Sequence, residues 1–150
     1  MAAGPDPALS QRIITQVPDG VIFADREGVI RLWNGGAEAI FGHKAEEALG
    51  QSLDLIIPER FRDAHWKGFD AALARGTSKY GREALVSRSI RKDGASIYVE
   101  LAFAVLKDDR GQAQGAVATV RDVTARYNQE RTMRQRLAEL EKQAKGQATA

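Results

Sequence analysis

The sequence predicts an α+β domain: one five-stranded antiparallel sheet with helices laid across one face. Three observations predict this class. Short apolar strand patterns cluster towards both ends of the chain, helical patterns lie between them, and glycine-containing turns join neighbouring strands. The length of 150 residues suits a single domain with a real core. We expect a tail and cap helix at 1–17, the sheet domain at 18–123, and a separate signalling and dimerisation helix at 124–150.

The N-terminal part of the sheet domain predicts a β-hairpin followed by short helices. Apolar runs at 21–24 and 29–33 flank the turn sequence at 25–28, which is typical of a hairpin. Asn34 follows the second run and is placed to cap the next helix through its side chain. The short helices predicted before residue 50 lie at 8–17, 37–41 and 45–49.

A longer amphipathic helix is predicted at 59–75, ended by Gly76. Its apolar positions recur at steps of four, and they place His65 in the middle of the face that meets the sheet. Trp66 points about 100° away from His65 on this helix, so we expect it at a pocket rim or a dimer contact. Three strands follow, at 83–91, 95–106 and 112–121. The middle one alternates apolar and polar residues, which predicts that one sheet face is buried.

From Thr124 onward the pattern is that of a highly charged helix. Its apolar residues are spaced by four, three and four positions, which is the a/d spacing of a coiled coil. They are Met133, Leu137, Leu140 and Ala144. This seam covers about two heptads and would be marginal alone. We favour a parallel dimer of two copies over packing on the same domain, because the opposite face is heavily charged.

Composition excludes several classes of function. The net charge is +2, from 22 Lys and Arg against 20 Asp and Glu. This near-equal balance of basic and acidic residues argues against a nucleic-acid binder. The absence of cysteine excludes disulfides, thiolate metal sites and cysteinyl-adduct photochemistry. No apolar run approaches the roughly 18 residues of a membrane span, and no secretory signal is present, so we expect a cytoplasmic protein. No nucleophile–histidine–acid set is recognisable, and we do not expect an enzyme.

Four sequence runs point to a family. In order, they are PDGVIFAD-REGVIRLWNGGAEAIFG, ALGQSLDLIIPERFR, RKDGASIYVEL and VRDVTAR. Together, over about residues 17–126, they resemble the PAS domain, a sensory and dimerising module. The resemblance implies a domain that signals through its exit helix. Known members bind haem, flavin, small acids or no ligand, so the family does not fix the ligand.

The ligand hypothesis depends on His65. Residues 58–65 resemble the segment that carries the proximal haem histidine in rhizobial oxygen-sensor kinases and related carbon-monoxide sensors, although similar strings occur in PAS domains not known to carry haem. The resemblance implies haem b held by the Nε2 atom of His65, between the long helix and the sheet. The wall of this pocket would be formed by Ile56, Ile57, Phe69, Leu73, Val99, Leu101 and Phe103. His43, in contrast, is expected at the surface.

The distal side of the implied pocket departs from the oxygen-sensor pattern. Leu85 stands where those kinases carry an arginine, when His65 to Gly94 is aligned without gaps. A leucine cannot donate a hydrogen bond to bound oxygen, which favours carbon monoxide, or a role in redox or haem sensing, over stable oxygen binding. Arg82 and Arg88 are close enough in sequence to replace that arginine if the register is shifted.

A second hypothesis requires no haem. His65 would then be hydrogen-bonded to a backbone carbonyl in a packed core. The domain would serve dimerisation or protein docking, with or without a small organic ligand in the same pocket. Under both hypotheses we expect a homodimer, an output partner or domain of unknown identity, and no nucleic-acid or membrane partner.

Overall fold

The computed structural model describes residues 4–148 and contains one five-stranded antiparallel sheet. The strands are β1 (Gly20–Asp25), β2 (Ile30–Trp33), β3 (Leu85–Ile90), β4 (Ser96–Lys107) and β5 (Ala113–Asp122). Their order across the sheet is β2-β1-β5-β4-β3, so the last strand in the chain is the central one. This strand joins the N-terminal hairpin to the C-terminal meander, and the predicted α+β class is confirmed.

Within residues 4–148, five α-helices accompany the sheet. They are α1 (Pro7–Gln16), α2 (Gly35–Phe41), α3 (Ala45–Ala48), α4 (Arg62–Arg75) and α5 (Thr124–Ala148). The apolar segment after α3 forms a 3₁₀ helix at Leu53–Ile56, and a second 3₁₀ helix lies at Glu59–Phe61. Among the described residues, no helix is long and apolar enough to cross a lipid bilayer.

Asn34 connects α1, β1 and α2, and it is only 5% exposed. Its Oδ1 atom accepts hydrogen bonds from the backbone N–H groups of Val21 (2.7 Å) and Ala37 (3.0 Å). Its Nδ2 atom donates to the carbonyls of Ile14 (2.7 Å) and Asp19 (3.0 Å). The predicted helix cap is therefore confirmed, and the same side chain holds the cap helix against the sheet domain.

The core lies between one half of the inner sheet face and the short helices α2 and α3. Phe41, Ile30 and Val99 are its largest fully buried side chains. Ser89 is buried with them, and its hydroxyl donates to the carbonyl of Ile56 (2.6 Å). The remaining buried members are Ile22, Trp33, Ala37, Ile40, Ala48, Ile56, Ile97 and Val120.

The long helix starts later than the sequence predicts. Residues 59–61 form a 3₁₀ turn after Pro58, and regular α4 begins only at Arg62. The Arg62 guanidinium donates to the carbonyls of Ile57 (3.1 Å) and Asp54 (3.2 Å), which ties the first turn of α4 to the segment before it. No residue of α4 is fully buried, so this helix covers the sheet more loosely than its apolar pattern suggests.

Candidate ligand site between α4 and the sheet

The inner face of β4 is apolar along its length but buried at only one end. Ile97 and Val99 are 5% and 1% exposed, whereas Leu101 and Phe103 farther along are half-buried. β3 adds the half-buried Leu85 directly opposite Leu101. Half of the inner face is thus an apolar surface that the short helices do not cover.

The structure brings part of the predicted wall together. Ile56 and Val99 belong to the core, and Ile57 and Leu101 pack against it. Phe69 and Leu73 on α4 are half-buried, outside that cluster. Phe103 lies near Tyr80 in the loop after α4, with ring centroids 6.3 Å apart. The predicted wall residues thus form a core-side group and a looser outer group.

His65 is half-buried on α4, between two aromatic rings. Its ring centroid lies 4.8 Å from that of Trp66 and 6.0 Å from that of Phe69. The Nδ1 atom is buried and has no hydrogen-bond partner among the described residues. Burial lowers the pKa of His65, and the negative charge of Asp54 opposes this shift only partly. The imidazole is therefore held in the neutral form, and no backbone carbonyl satisfies its buried nitrogen.

Trp66 does not lie at an open rim, because its indole packs on the β1–β2 turn. The Nε1 atom donates to Oδ1 of Asp54 (2.8 Å), and the six-membered ring covers Gly28. Gly28 has φ +79°, and a methyl group there would overlap that ring. The sequence signals a turn at Gly28 but contains no signal that this turn meets Trp66.

The observed register decides which side chains flank Leu85. Leu85 lies on the inner face with Leu101, whereas Arg88 lies opposite Tyr98 on the outer face. The Arg88 guanidinium donates to the Tyr98 hydroxyl (2.5 Å). Arg88 therefore does not replace the arginine missing at Leu85. Arg82 is exposed in the loop before β3.

His43 is half-buried rather than at the surface. Its backbone carbonyl accepts a hydrogen bond from Nε1 of Trp33 (3.0 Å), and its ring lies edge-on to the indole. Burial lowers its pKa as well. The buried indole N–H of Trp33 needs a hydrogen-bond acceptor, and the His43 carbonyl supplies it. This bond explains why His43 lies close to the core.

An open cleft of about 360 Å³ lies at the C-terminal end of α4. It includes Phe103 from the predicted wall but not His65, and it is lined by Gly76, Thr77, Ser78, Gly81, Phe103, Ala104, Val105 and Lys107. Residues 4–148 contain no group of three or more histidine or acidic side chains suited to a free metal ion. An iron carried by haem requires only axial ligands from the protein.

Comparisons with known proteins agree with this fold. The family described as PAS fold matches residues 14–128. The oxygen sensor protein DosP of Escherichia coli is 26% identical over 132 residues, which are 86% of this chain and 15% of DosP. The sensor protein FixL of Bradyrhizobium diazoefficiens is 38% identical over 53 residues, which are 35% of this chain and 10% of FixL. The chain therefore spans only a small part of each of these relatives.

A solved structure matches over most of its own length. The PAS domain of a protein from Colwellia psychrerythraea superimposes with a TM-score of 0.68 at 25% identity, covering 79% of this chain and 98% of that domain. The fold, the family match over 14–128 and these relatives together show that the chain belongs to the PAS family of sensory domains found in signal-transduction proteins.

Proposed function

We propose that this PAS domain binds haem b through His65 and senses a diatomic gas or redox state, as a sensor rather than an enzyme. The observation that carries the proposal is the half-buried imidazole of His65 on α4, which lies beside half-buried apolar side chains and has a buried Nδ1 atom with no hydrogen-bond partner. With Nδ1 buried, Nε2 is the nitrogen that we propose as the iron ligand. The lowered pKa also keeps the imidazole neutral, the form that binds iron.

The surroundings of His65 support an apolar, flat ligand. Phe69 and Leu73 on α4 and Leu101 and Phe103 on β4 are all apolar and only half-buried, so a ligand could remove further apolar surface from water. Bound haem would supply an iron centre that exchanges a diatomic gas or an electron. The protein would supply the axial nitrogen, the apolar walls and the helix that carries the response.

Leu85 supports carbon monoxide as the gas. This leucine lies on the inner face and cannot donate a hydrogen bond, which oxygen requires more than carbon monoxide does. We expect the reduced haem protein to hold carbon monoxide stably and to release oxygen quickly. Leu85→Arg should slow oxygen release, as measured by stopped-flow absorption, whereas Val86→Arg on the outer face should leave it unchanged. Equal rates in wild type and Leu85→Arg would contradict this assignment.

The outer face of β4 offers a route from the site to α5. Thr124 Oγ1 accepts a hydrogen bond from the Tyr98 backbone N–H (3.0 Å), and Tyr127 stacks on the Tyr98 ring with centroids 3.7 Å apart. Arg126 pairs with Glu100 (2.7 Å). Since β4 carries wall residues on one face and the first turn of α5 on the other, its movement would displace α5. We propose that this displacement is the output, delivered by a homodimer.

A second candidate is a haem-free PAS module for dimerisation or docking, with or without a small organic ligand. The cleft at the end of α4 favours it, because that space does not reach His65. A small organic ligand could occupy this cleft beside Phe103 without contacting His65.

An absorption titration tests the first candidate. We expect hemin to give a saturable, sharp Soret band at one haem per chain, which shifts with dithionite and carbon monoxide. His65→Ala should lose this band while its circular dichroism stays that of wild type. His43→Ala is the matched control, since it removes the chain's other histidine and should keep the band. A broad unsaturated band, or an unchanged band in His65→Ala, would overturn the His65 assignment.

A further inference from the structure

A group of hydrogen-bond donors lies on the outer face of the sheet, at the start of α5. Arg88 on β3 and Tyr98 on β4 are directly opposite in the ladder. The Arg88 guanidinium lies over the Tyr98 ring, 5.1 Å from its centroid, and donates to the Tyr98 hydroxyl (2.5 Å). Tyr127 of α5 stacks on the same ring. The Tyr98 side chain therefore joins β3, β4 and α5 at one point.

Arg131 brings a second guanidinium to this point. It follows Tyr127 by four residues, so both side chains project from the same face of α5. The pKa of Tyr98 is lowered, chiefly by the hydrogen bond from Arg88, and the positive charges of Arg88 and Arg131 act in the same direction. The Tyr127 hydroxyl adds to this effect, and partial burial opposes it. A phenol in such positive surroundings is a good donor to an anion.

The two arginines are not neutralised by this chain. Within residues 4–148, neither Arg88 nor Arg131 forms an ion pair with a carboxylate. Glu100 and Glu130, on the neighbouring part of β4 and α5, are both engaged by Arg126, at 2.7 Å and 3.9 Å. Two positive charges thus flank one tyrosine hydroxyl, and the described carboxylates are directed elsewhere.

We propose that Arg88, Tyr98 and Arg131 bind a phosphate group, carried by inorganic phosphate or by a phosphate monoester. Two guanidinium groups match the nearly two negative charges of a phosphate monoester at pH 7, and each can donate two parallel bonds to its oxygens. The Tyr98 hydroxyl can accept from Arg88 and still donate its own proton. A carboxylate has one charge and two oxygens, so it would use only part of this donor set.

A phosphate bound here would connect the edge strand β3 to α5. Arg88 belongs to the strand, and Arg131 lies one helical turn beyond the docked Tyr127. A ligand that bonds both arginines would extend the docked part of α5 by one turn and stiffen the helix. This inference goes beyond the proposed function and does not rest on haem, because the site lies on the sheet face opposite to Leu85 and Leu101.

Isothermal titration calorimetry of the haem-free full chain with inorganic phosphate, at constant ionic strength, tests the site. We expect one phosphate per chain. Arg131→Gln and Arg88→Gln should each weaken binding about tenfold or more, since each removes a charged donor. Arg131 is exposed, so its variant should keep the wild-type circular dichroism. Arg136→Gln is the matched control, because it removes the same charge about 180° from Tyr127 around α5, and it should bind within about twofold of wild type.

Two further measurements examine the donor set and the source of the phosphate. Tyr98→Phe keeps the stacked ring but loses the hydroxyl, and it should weaken binding about threefold or more. Methyl phosphate serves as the monoester probe. Tighter binding of methyl phosphate than of inorganic phosphate supports an organic phosphate as the ligand, and the reverse order supports the free anion.

Amide hydrogen exchange tests the consequence for α5. Phosphate should slow exchange over residues 124–131 in wild type but not in Arg131→Gln. Sodium chloride at matched ionic strength should not reproduce this protection, and equal protection by chloride would overturn the site. Absence of binding by both phosphate probes, or equal affinities in Arg131→Gln and Arg136→Gln, would overturn it as well. His65→Ala should bind phosphate as wild type does, so the haem assignment fails or stands separately.

Discussion

At the residue scale, a few side chains hold separate parts of the chain together. Asn34 satisfies backbone groups from α1, β1 and α2 at once. Trp66 likewise joins separate segments, because it covers Gly28 and donates to Asp54. Each set of contacts comes from a single side chain, but it fixes the position of a helix relative to the sheet.

The Gly28–Trp66 contact predicts an unusually costly glycine substitution. Gly28→Ala should lower the free energy of unfolding by about 3 kcal/mol. The left-handed backbone at residue 28 disfavours any side chain, and the added methyl group would also overlap the Trp66 indole. Gly94→Ala is the control: its φ is +85°, but nothing lies within 4 Å of the added carbon. We expect it to cost only about 1 kcal/mol in urea unfolding. Equal losses would show that Trp66 does not pack on this turn.

His65 predicts a loss of stability on acidification of the haem-free protein. Burial lowers its folded pKa below the unfolded value of about 6.5. The unfolded state therefore binds the proton more readily, so stability is complete above pH 6.5 and falls as the pH drops through and below it. Urea unfolding between pH 8 and pH 5 measures this fall.

The control separates His65 from the other histidine, whose pKa is lowered by burial as well. His65→Gln should flatten the decline of stability between pH 6.5 and pH 5, and His43→Gln should remove a separate share of it. A decline in His65→Gln that matches wild type would mean that His65 titrates in the folded state as it does in the unfolded one.

At the element scale, α1, α4 and α5 have no fully buried residue among those described, and α4 and α5 are the two of these that flank the candidate site and its output. The apolar pattern of α4 predicts an inward face, but its start is displaced to Arg62 by the 3₁₀ turn after Pro58. α5 begins at Thr124 as predicted, and its first turn is held by stacking and ion pairing on β4. Both helices are therefore placed to move relative to the sheet.

The Tyr98–Tyr127 stack predicts local fraying of α5 when it is removed. Tyr127→Ala should cost about 1 kcal/mol of stability, the usual contribution of an aromatic pair. Amide hydrogen exchange over residues 124–131 should also become faster, since the docked turn loses its main apolar contact. Tyr127→Phe keeps the ring and should retain most of the protection. Unchanged exchange in Tyr127→Ala would show that the stack does not hold the helix.

At the scale of the whole molecule, the sheet domain and the exposed part of α5 are separable. Residues 128–148 are all exposed, so their removal should not uncover core. A chain ending at Arg131 should keep its unfolding free energy to within about 0.5 kcal/mol when measured on dilute protein. It should also sediment as a monomer. A large loss of stability in dilute solution would mean that α5 supports the fold itself.

Much of this architecture is predictable because it is encoded locally. The turn at 25–28 and the alternation along β4 predict the hairpin and the meander, since both depend on neighbouring residues. The site is predictable only in part. The inward face of α4 follows from its spacing, but the unpartnered Nδ1 atom of His65 depends on what surrounds that helix.

Local sequence patterns predict the kinds of elements, their order along the chain, the α+β class and the apolar seam of the last helix. Three other features depend on how the chain folds as a whole: β5 is the central strand, Arg88 faces away from Leu85, and Trp66 covers Gly28. The physical reason is distance along the chain. Periodicity and turn residues act over a few positions, whereas these contacts join distant segments and depend on how the whole core packs.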